Sequence, residues 1–204
     1  MPEARQRVAA QRRDVFAGEL RQHHLLDDTV VIITSDNGPW YQGRTGGLSG
    51  RKFETYEGGV RVPFIARGPG IASGLVSHEP LHLMDLLPTA LHWAGRPIPA
   101  GLDGRDMAAP FANGSASPHD CLHLWHVYTQ GAVIEGRWKL NLIQQRGEYP
   151  RKGEFPHLID LVEDPEEAYS VADRHPEVVA RLTARAEAFA AEMKPFYRKE
   201  RDKR

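Results

Sequence analysis

This sequence of 204 residues has no cysteine pair, no long apolar run and a formal net charge of only −1 at pH 7. A single cysteine, Cys121, excludes an intrachain disulfide. No apolar run approaches the roughly 20 residues that a membrane-spanning helix needs, and the charged segment Met1–Leu20 lacks the apolar stretch of a signal peptide. Lys and Arg number 26 against 27 Asp and Glu, so bulk charge does not indicate nucleic acid as a partner. Compartment and oligomeric state stay open.

The most informative stretch begins with a β-branched apolar run, Val30–Thr34, that breaks abruptly into Ser-Asp-Asn-Gly. Such a run predicts a strand buried on both faces, as in a largely parallel sheet. Ligands bind beyond the carboxyl ends of strands in open α/β sheets, where Asp36 and Asn37 would lie. Their oxygens suit calcium or magnesium. Taken alone, the tripeptide Asp-Asn-Gly is more often simply a turn, because Asn and Gly tolerate positive φ.

A glycine-rich loop follows, and it carries the cations Arg44, Arg51 and Lys52. Candidate metal ligands at the edge of a sheet, followed by a cationic loop, are suited to binding a metal-bound oxyanion. The metal polarises one oxygen of such an anion, and a cation neutralises the charge on the others. The alternative is a solvated loop with scattered cations. A second strand is predicted over Val60–Ala66.

Taken together, these motifs resemble those of the sulfatase family, whose members hydrolyse sulfate esters. The resemblance rests on five segments in the family's order: Thr29–Gly70, Leu83–Gly95, Leu102–Asp106, Gly136–Leu140 and Leu158–Pro165. The resemblance covers most of the chain. The combination of the five segments is specific to the family, although no single segment is. The resemblance implies the α/β fold of the alkaline phosphatase-like superfamily.

The resemblance also implies roles for individual residues. Asp36 and Asn37 match the family's pair of ligands for a divalent cation, which is usually calcium. Lys52, four residues before Tyr56, matches the sulfate-contacting lysine. Arg44 has no firm counterpart and is a candidate substrate contact on its charge alone. The implied substrate is a sulfate ester.

Two parts of the family's site have no counterpart in the sequence. The family's nucleophile is a formylglycine made within a Cys/Ser-x-Pro-x-Arg motif, but Cys121 is followed by Leu-His-Leu-Trp, and no serine fits the motif. The first aspartate pair of the metal site is also missing. We therefore expect the C-terminal portion of a sulfatase, inactive by itself. Two alternatives are a phosphodiesterase or phosphonate hydrolase of the same superfamily and a non-catalytic remnant.

The order of predicted elements completes the expectation for the fold. We predict an amphipathic helix over Pro2–His24, a helix over Leu83–Ala94 and an irregular connection over Arg96–Pro118. Four short β-rich segments and a final helix follow: Cys121–Val127, Gly131–Glu135, Trp138–Ile143, Leu158–Leu161 and Pro176–Met193. The fold class is thus the end of an α/β sheet domain, residues 1–112, followed by a small α+β subdomain, residues 113–204.

Histidines offer a further set of candidate ligands. His78, His82 and His92 could each bind a metal, although a structural role is the commoner one. His123 and His126 are three apart in a predicted strand and would face opposite sides, which favours cross-strand packing over a shared metal.

Overall fold

A computed structural model describes residues 17–145 and 153–194. Its helices and strands follow one another along the chain as β1 (Val31–Thr34), α1 (Glu57–Val60), β2 (Phe64–Arg67), α2 (Leu86–Trp93), α3 (Ala108–Asn113), β3 (Leu122–His126), β4 (Thr129–Glu135), β5 (Trp138–Asn141), β6 (His157–Asp160) and α4 (Pro176–Met193). Residues 17–22 are also helical, and the rest of the predicted first helix lies outside the described residues. No helix among the described residues is both long and apolar enough to span a membrane.

The chain divides into two compact units, each made of two separate segments. One unit comprises the described residues of Met1–Thr34 together with Phe64–Pro118. The other comprises Ser35–Pro63 together with the described residues of His119–Arg204. The predicted domain boundary between residues 112 and 113 stays a prediction.

In the first unit, β1 and β2 form a two-stranded antiparallel sheet, with Val31 opposite Arg67 and Thr34 opposite Phe64. The predicted burial of β1 on both faces is wrong for this chain, because Ile33 is 41% exposed. The parallel neighbours are also not found among the described residues. An apolar run shows that a strand is suited to two-faced burial, but it does not identify the segments that cover it. The second strand begins four residues later than predicted, since α1 occupies Glu57–Val60.

The predicted helix over Leu83–Ala94 is confirmed as a 3₁₀ turn at Leu83–Asp85 that continues into α2. The buried carboxylate of Asp85 accepts hydrogen bonds from the backbone N–H groups of His82 (2.7 Å) and Arg105 (2.7 Å), so it fixes the start of the helix. His92 Nδ1 lies 2.6 Å from the Asp106 carboxylate. The described contacts of His82 and His92 are therefore with neighbouring protein groups.

The predicted connection Arg96–Pro118 is wrong in part, because it contains α3. Pro110 lies in the first turn of this short helix, where proline is tolerated because the N–H of a first-turn residue has no partner within the helix. Gly114 ends the helix in the left-handed conformation, with φ of 71°.

The second unit contains the predicted antiparallel sheet, which is confirmed with the strand order β3-β4-β5-β6. The predicted final helix is confirmed as α4, with Pro176 in its first turn. One stripe of α4 packs against the sheet, because apolar residues recur at helical spacing on this side. The resulting core consists of Val133, Leu140, Leu158, Val178, Leu182 and Ala186.

Cross-strand packing of His123 is also confirmed. Its ring stacks on Phe189 of α4 at 3.9 Å between centroids, and its Nδ1 lies 2.8 Å from Gln130 Nε2 on β4. The register of β3 against β4 shifts between Leu124 and Trp125, so simple alternation does not hold along the whole strand.

Candidate functional site

Asp36 and Asn37 lie just beyond the carboxyl end of β1, after Ser35. Asp36 is exposed and Asn37 is half-buried. The Ser35 hydroxyl donates a hydrogen bond of 2.9 Å to the backbone carbonyl of Asn37 and stabilises the turn. The carboxylate and the amide therefore lie in a fixed turn and are accessible from solvent.

Backbone hydrogen bonds connect this turn to the segment that carries Lys52. The Lys52 N–H donates to the Pro39 carbonyl at 3.1 Å, and the Gly38 N–H donates to the Gly59 carbonyl at 2.8 Å. A Cβ at Gly38 would overlap the Gly58 carbonyl oxygen, so only glycine permits this close approach. Because consecutive Cα atoms are about 3.8 Å apart, the Lys52 backbone lies within roughly 14 Å of the Asn37 Cα.

The glycine loop forms an open cleft of about 350 Å³. Its lining residues are Gly43, Arg44, Thr45, Gly46, Gly47 and Arg51. The Arg51 guanidinium donates to the carbonyls of Gly43 (3.0 Å) and Trp40 (3.4 Å), so this cation holds the loop together. Arg44 lines the same cleft, and its role as a substrate contact stays a prediction.

Lys52 is half-buried, and its Nζ lies 5.7 Å from the centroid of the neighbouring Phe53 ring. Phe53 has φ of 79°, in the left-handed region that a non-glycine residue rarely adopts. No sequence signal predicted this geometry, because an exposed phenylalanine beside a lysine belongs to no periodic pattern.

A buried charged cluster lies where the segment after Lys52 meets the four-stranded sheet. Lys139 of β5 is fully buried, and its Nζ lies 2.9 Å from Glu57 Oε1 and 3.1 Å from Glu167 Oε1. The second oxygen of Glu167 accepts the backbone N–H of Glu57 at 2.5 Å. One lysine thus binds two carboxylates, and one carboxylate also holds the first residue of α1.

Further polar contacts extend this connection. Asn141 Nδ2 donates to Glu167 Oε1 at 3.1 Å, and the Gln145 side chain accepts the Thr55 N–H at 2.7 Å. Glu167 has φ of 57° and is buried, so its backbone strain must be offset by these contacts. The segment Thr55–Gly59 is therefore fixed to the sheet a few residues after Lys52.

The contacts that Glu57 makes with Lys139 and Glu167 were not predicted from the sequence. One signal was available: Lys139 lies between the apolar residues Trp138 and Leu140 in a predicted strand, and a lysine that becomes buried requires a carboxylate. The identity of that carboxylate was not predictable from spacing, because Glu57 lies 82 residues earlier in the chain.

The side-chain oxygens of Asp36 and Asn37 are of the type that a hard cation prefers, but two ligands are too few to complete its coordination shell. Calcium takes six to eight oxygen ligands, and these two side chains supply two of them. Among residues 17–145 and 153–194, no group of three or more His, Cys, Asp or Glu side chains could hold a metal ion. The two residues therefore fit part of a calcium shell.

Comparison with solved structures shows the class of fold. The chain superposes on the crystal structure of PsFucS1 sulfatase from Pseudoalteromonas sp. with a TM-score of 0.78 and 25% identity, covering 92% of this chain and 42% of that chain. The fold is therefore the mixed α/β fold of the alkaline phosphatase-like superfamily, as predicted.

Sequence comparison shows the family. Residues 14–96 match the Sulfatase family model. The chain is 35% identical over 187 residues to arylsulfatase A from Homo sapiens, covering 78% of this chain and 37% of that protein. It is 28% identical over 185 residues to an arylsulfatase from Hemicentrotus pulcherrimus, covering 74% and 34% respectively. The chain belongs to the sulfatase family, and it spans about a third of the length of these relatives.

Proposed function

We propose that this chain supplies part of the metal-binding and sulfate-binding site of a sulfuric ester hydrolase. The observation that carries the proposal is the backbone connection between the Asp36-Asn37 turn and Lys52, made by the hydrogen bonds Lys52–Pro39 and Gly38–Gly59. These bonds join the backbone segment that follows Asp36 and Asn37 to the segment that carries Lys52, which supports the assignment of the three residues to one site. Membership of the sulfatase family supports the assignment of that loop to sulfate chemistry.

In this proposal, Asp36 and Asn37 bind a divalent cation, calcium by preference, through carboxylate and amide oxygens. The other ligands come from water and from groups outside this pair, since two oxygens do not complete a calcium shell. The cation would polarise a sulfate oxygen when bound.

Lys52 is the proposed catalytic and substrate-binding cation. An ammonium group beside the ester neutralises the negative charge that accumulates on the sulfate oxygens and on the departing oxygen. This interaction is stronger in the transition state than in the ground state, so Lys52 acts mainly on the chemical step. Arg44, in the adjacent cleft, contacts the alcohol side of the substrate in this proposal.

The nucleophile is expected outside this sequence. The formylglycine of sulfatases forms within a Cys/Ser-x-Pro-x-Arg motif, and the sequence contains no such motif. Charge stabilisation cannot replace a covalent nucleophile, so we propose that the 204-residue chain by itself does not hydrolyse sulfate esters.

Activity measurements on two preparations test the proposal. The 204-residue chain alone should not turn over phenyl sulfate. The chain joined to an N-terminal sulfatase segment that supplies the nucleophile motif should do so, and Asp36→Ala should abolish this activity. Lys194→Ala, an exposed lysine beyond the end of α4, serves as the control and should leave it unchanged.

Three outcomes would contradict the proposal. Turnover by the isolated chain that is lost in Asp36→Ala would require a different nucleophile within these residues. A joined enzyme that prefers the matched phenyl phosphate would favour a phosphoester hydrolase of the same superfamily. A joined protein that binds its ligands without turnover would favour a non-catalytic remnant.

A further inference from the structure

Three large aromatic side chains meet on the surface of the loop that carries Lys52. Trp40 is 47% exposed, Tyr41 is 52% exposed and Phe53 is 64% exposed. The Trp40 ring lies 4.9 Å from Tyr41 and 5.9 Å from Phe53 between centroids, in edge-to-face geometry. The three rings therefore form one continuous exposed cluster, which we call the aromatic cluster.

Burial in the core of the folded unit does not account for this cluster. About half or more of each residue is exposed to solvent, so each forgoes much of the free energy that full burial of a large apolar side chain provides. Phe53 also has the left-handed φ of 79°, a conformation that costs free energy in a non-glycine residue. Strain and exposure at the same residue are typical of a ligand-binding position.

Two cations flank the aromatic cluster. Arg51 Cζ lies 5.8 Å from the centroid of Tyr41, and Lys52 Nζ lies 5.7 Å from the centroid of Phe53. The backbone of Lys52 is bonded to Pro39, the residue before Trp40. If a ligand binds Lys52 through an anionic group, the rest of that ligand can therefore contact the aromatic rings.

We propose that Trp40, Tyr41 and Phe53 bind the ring of the substrate's alcohol portion, either an aryl ring or the apolar face of a pyranose. This inference rests on the proposed function, since it assigns the sulfate group to Lys52. Both kinds of ring stack on aromatic side chains, and an aromatic contact contributes beyond its buried area. An open-chain alcohol of the same size cannot present a flat face to the cluster.

Binding measurements on the 204-residue chain test this inference with matched pairs of probes. Phenyl sulfate is compared with hexyl sulfate, and glucose 6-sulfate with the open-chain sorbitol 6-sulfate, by calorimetric titration in calcium-containing buffer. One of the two ring probes should bind roughly 3- to 10-fold more tightly than its open-chain partner. The pair that shows the difference identifies the ring as aryl or pyranose.

Substitutions then locate the preference. Trp40→Ala and Phe53→Gly should each remove it, and Phe53→Gly also relieves the strained φ, so loss of folding is not expected. Tyr128→Ala is the matched control, because Tyr128 is an aromatic residue 86% exposed at the β3–β4 turn of the same unit. It should leave the preference unchanged. Equal affinities within both pairs, or a preference that survives Trp40→Ala, would overturn the inference.

Further measurements distinguish failure of this inference from failure of the proposed function, and they also test whether a second copy of the chain covers the aromatic cluster. Binding of inorganic sulfate that depends on Lys52, without any ring preference, would leave the proposed function intact and overturn the ring site. Binding of phenol or methyl glucoside that depends on Trp40, without any sulfate binding, would support the ring site and contradict the proposed function. A change in sedimentation mass on Trp40→Ala, with no change in ring affinity, would make a second copy of the chain the occupant and overturn the inference.

Discussion

Replacement of Lys139 by methionine should be among the most destabilising single changes in the second unit. Lys139 is fully buried between two carboxylates, at 2.9 Å from Glu57 and 3.1 Å from Glu167. Methionine has a similar length and no charge, so Lys139→Met leaves the packing nearly unchanged and removes the compensating charge. Two carboxylates then face each other in the interior.

The magnitude follows from these distances. Each attraction is roughly 5–6 kcal/mol at an effective dielectric constant of about 20, before the cost of removing the charges from water. Much of that attraction is offset by desolvation, and breaking one buried pair by removing a partner typically costs about 3–5 kcal/mol. We expect Lys139→Met to lower the free energy of unfolding by an amount in this range.

Urea denaturation followed by tryptophan fluorescence measures the effect, because Trp138 adjoins Lys139 on β5. Lys194→Met is the control: Lys194 is exposed at the end of α4, and its replacement should leave the stability nearly unchanged. The triple variant Lys139→Met, Glu57→Gln, Glu167→Gln should be more stable than Lys139→Met alone. A Lys139→Met chain within about 1 kcal/mol of wild type would refute the reasoning.

Four further outcomes are expected. Gly38→Ala should lower the free energy of unfolding by about 1–3 kcal/mol in the same denaturation experiment, because its Cβ would overlap the Gly58 carbonyl; an unchanged midpoint would contradict the close approach. Burial raises the pKa of the Cys121 thiol, against the opposing effect of Arg185, so thiol alkylation at neutral pH should be several-fold slower than in the urea-unfolded chain, and equal rates would be inconsistent with that environment. The hydrogen bond from Arg137 lowers the pKa of the Asp160 carboxyl, so the ionised carboxylate stabilises the fold above the ordinary aspartate pKa, and this stabilisation is lost as the pH falls through the lowered pKa. Asp160→Asn should therefore weaken the loss of unfolding free energy at acidic pH. An unchanged pH dependence would argue against the pair. Arg44→Ala should raise KM for particular sulfate esters without lowering kcat in the joined enzyme, whereas a fall in kcat alone would place Arg44 at the reacting group.

The C-terminal part of the fold was predictable because its signals are local. The strands β3 to β6 are short apolar segments separated by turn residues, and α4 begins at a proline and carries an apolar stripe. Each of these signals lies within the element that it specifies. Boundaries therefore agree with the prediction to within two residues for these strands and for α4.

The neighbours of each element were less predictable. The apolar run of β1 predicted a strand but not its antiparallel pairing with β2, because pairing partners are not encoded within the strand. Likewise, Lys139 finds its carboxylates 82 and 28 residues away in the sequence. Contacts at such separations follow no local period, so the charged cluster and the aromatic cluster became apparent only in three dimensions.

For the site itself, the sequence indicated chemistry but not geometry. Residue types and motif order selected Asp36, Asn37, Lys52 and Arg44, and these four assignments stay predictions. The close backbone approach at Gly38 could not be deduced from the sequence, since an Asp-Asn-Gly tripeptide fits an ordinary turn equally well. The structure adds two backbone hydrogen bonds, from Lys52 to Pro39 and from Gly38 to Gly59, which connect the turn at Asp36 and Asn37 to the segment Lys52–Gly59.

The effect of Lys52→Ala on the joined enzyme tests the central claim most directly. Steady-state kinetics on phenyl sulfate should show kcat reduced by roughly 10²–10³-fold, as for the loss of one preorganised group that stabilises transition-state charge, with a much smaller change in KM. The exposed Lys194→Ala should match wild type in both constants. An unchanged kcat in Lys52→Ala would contradict the account, because Lys52 would then have no part in the chemical step.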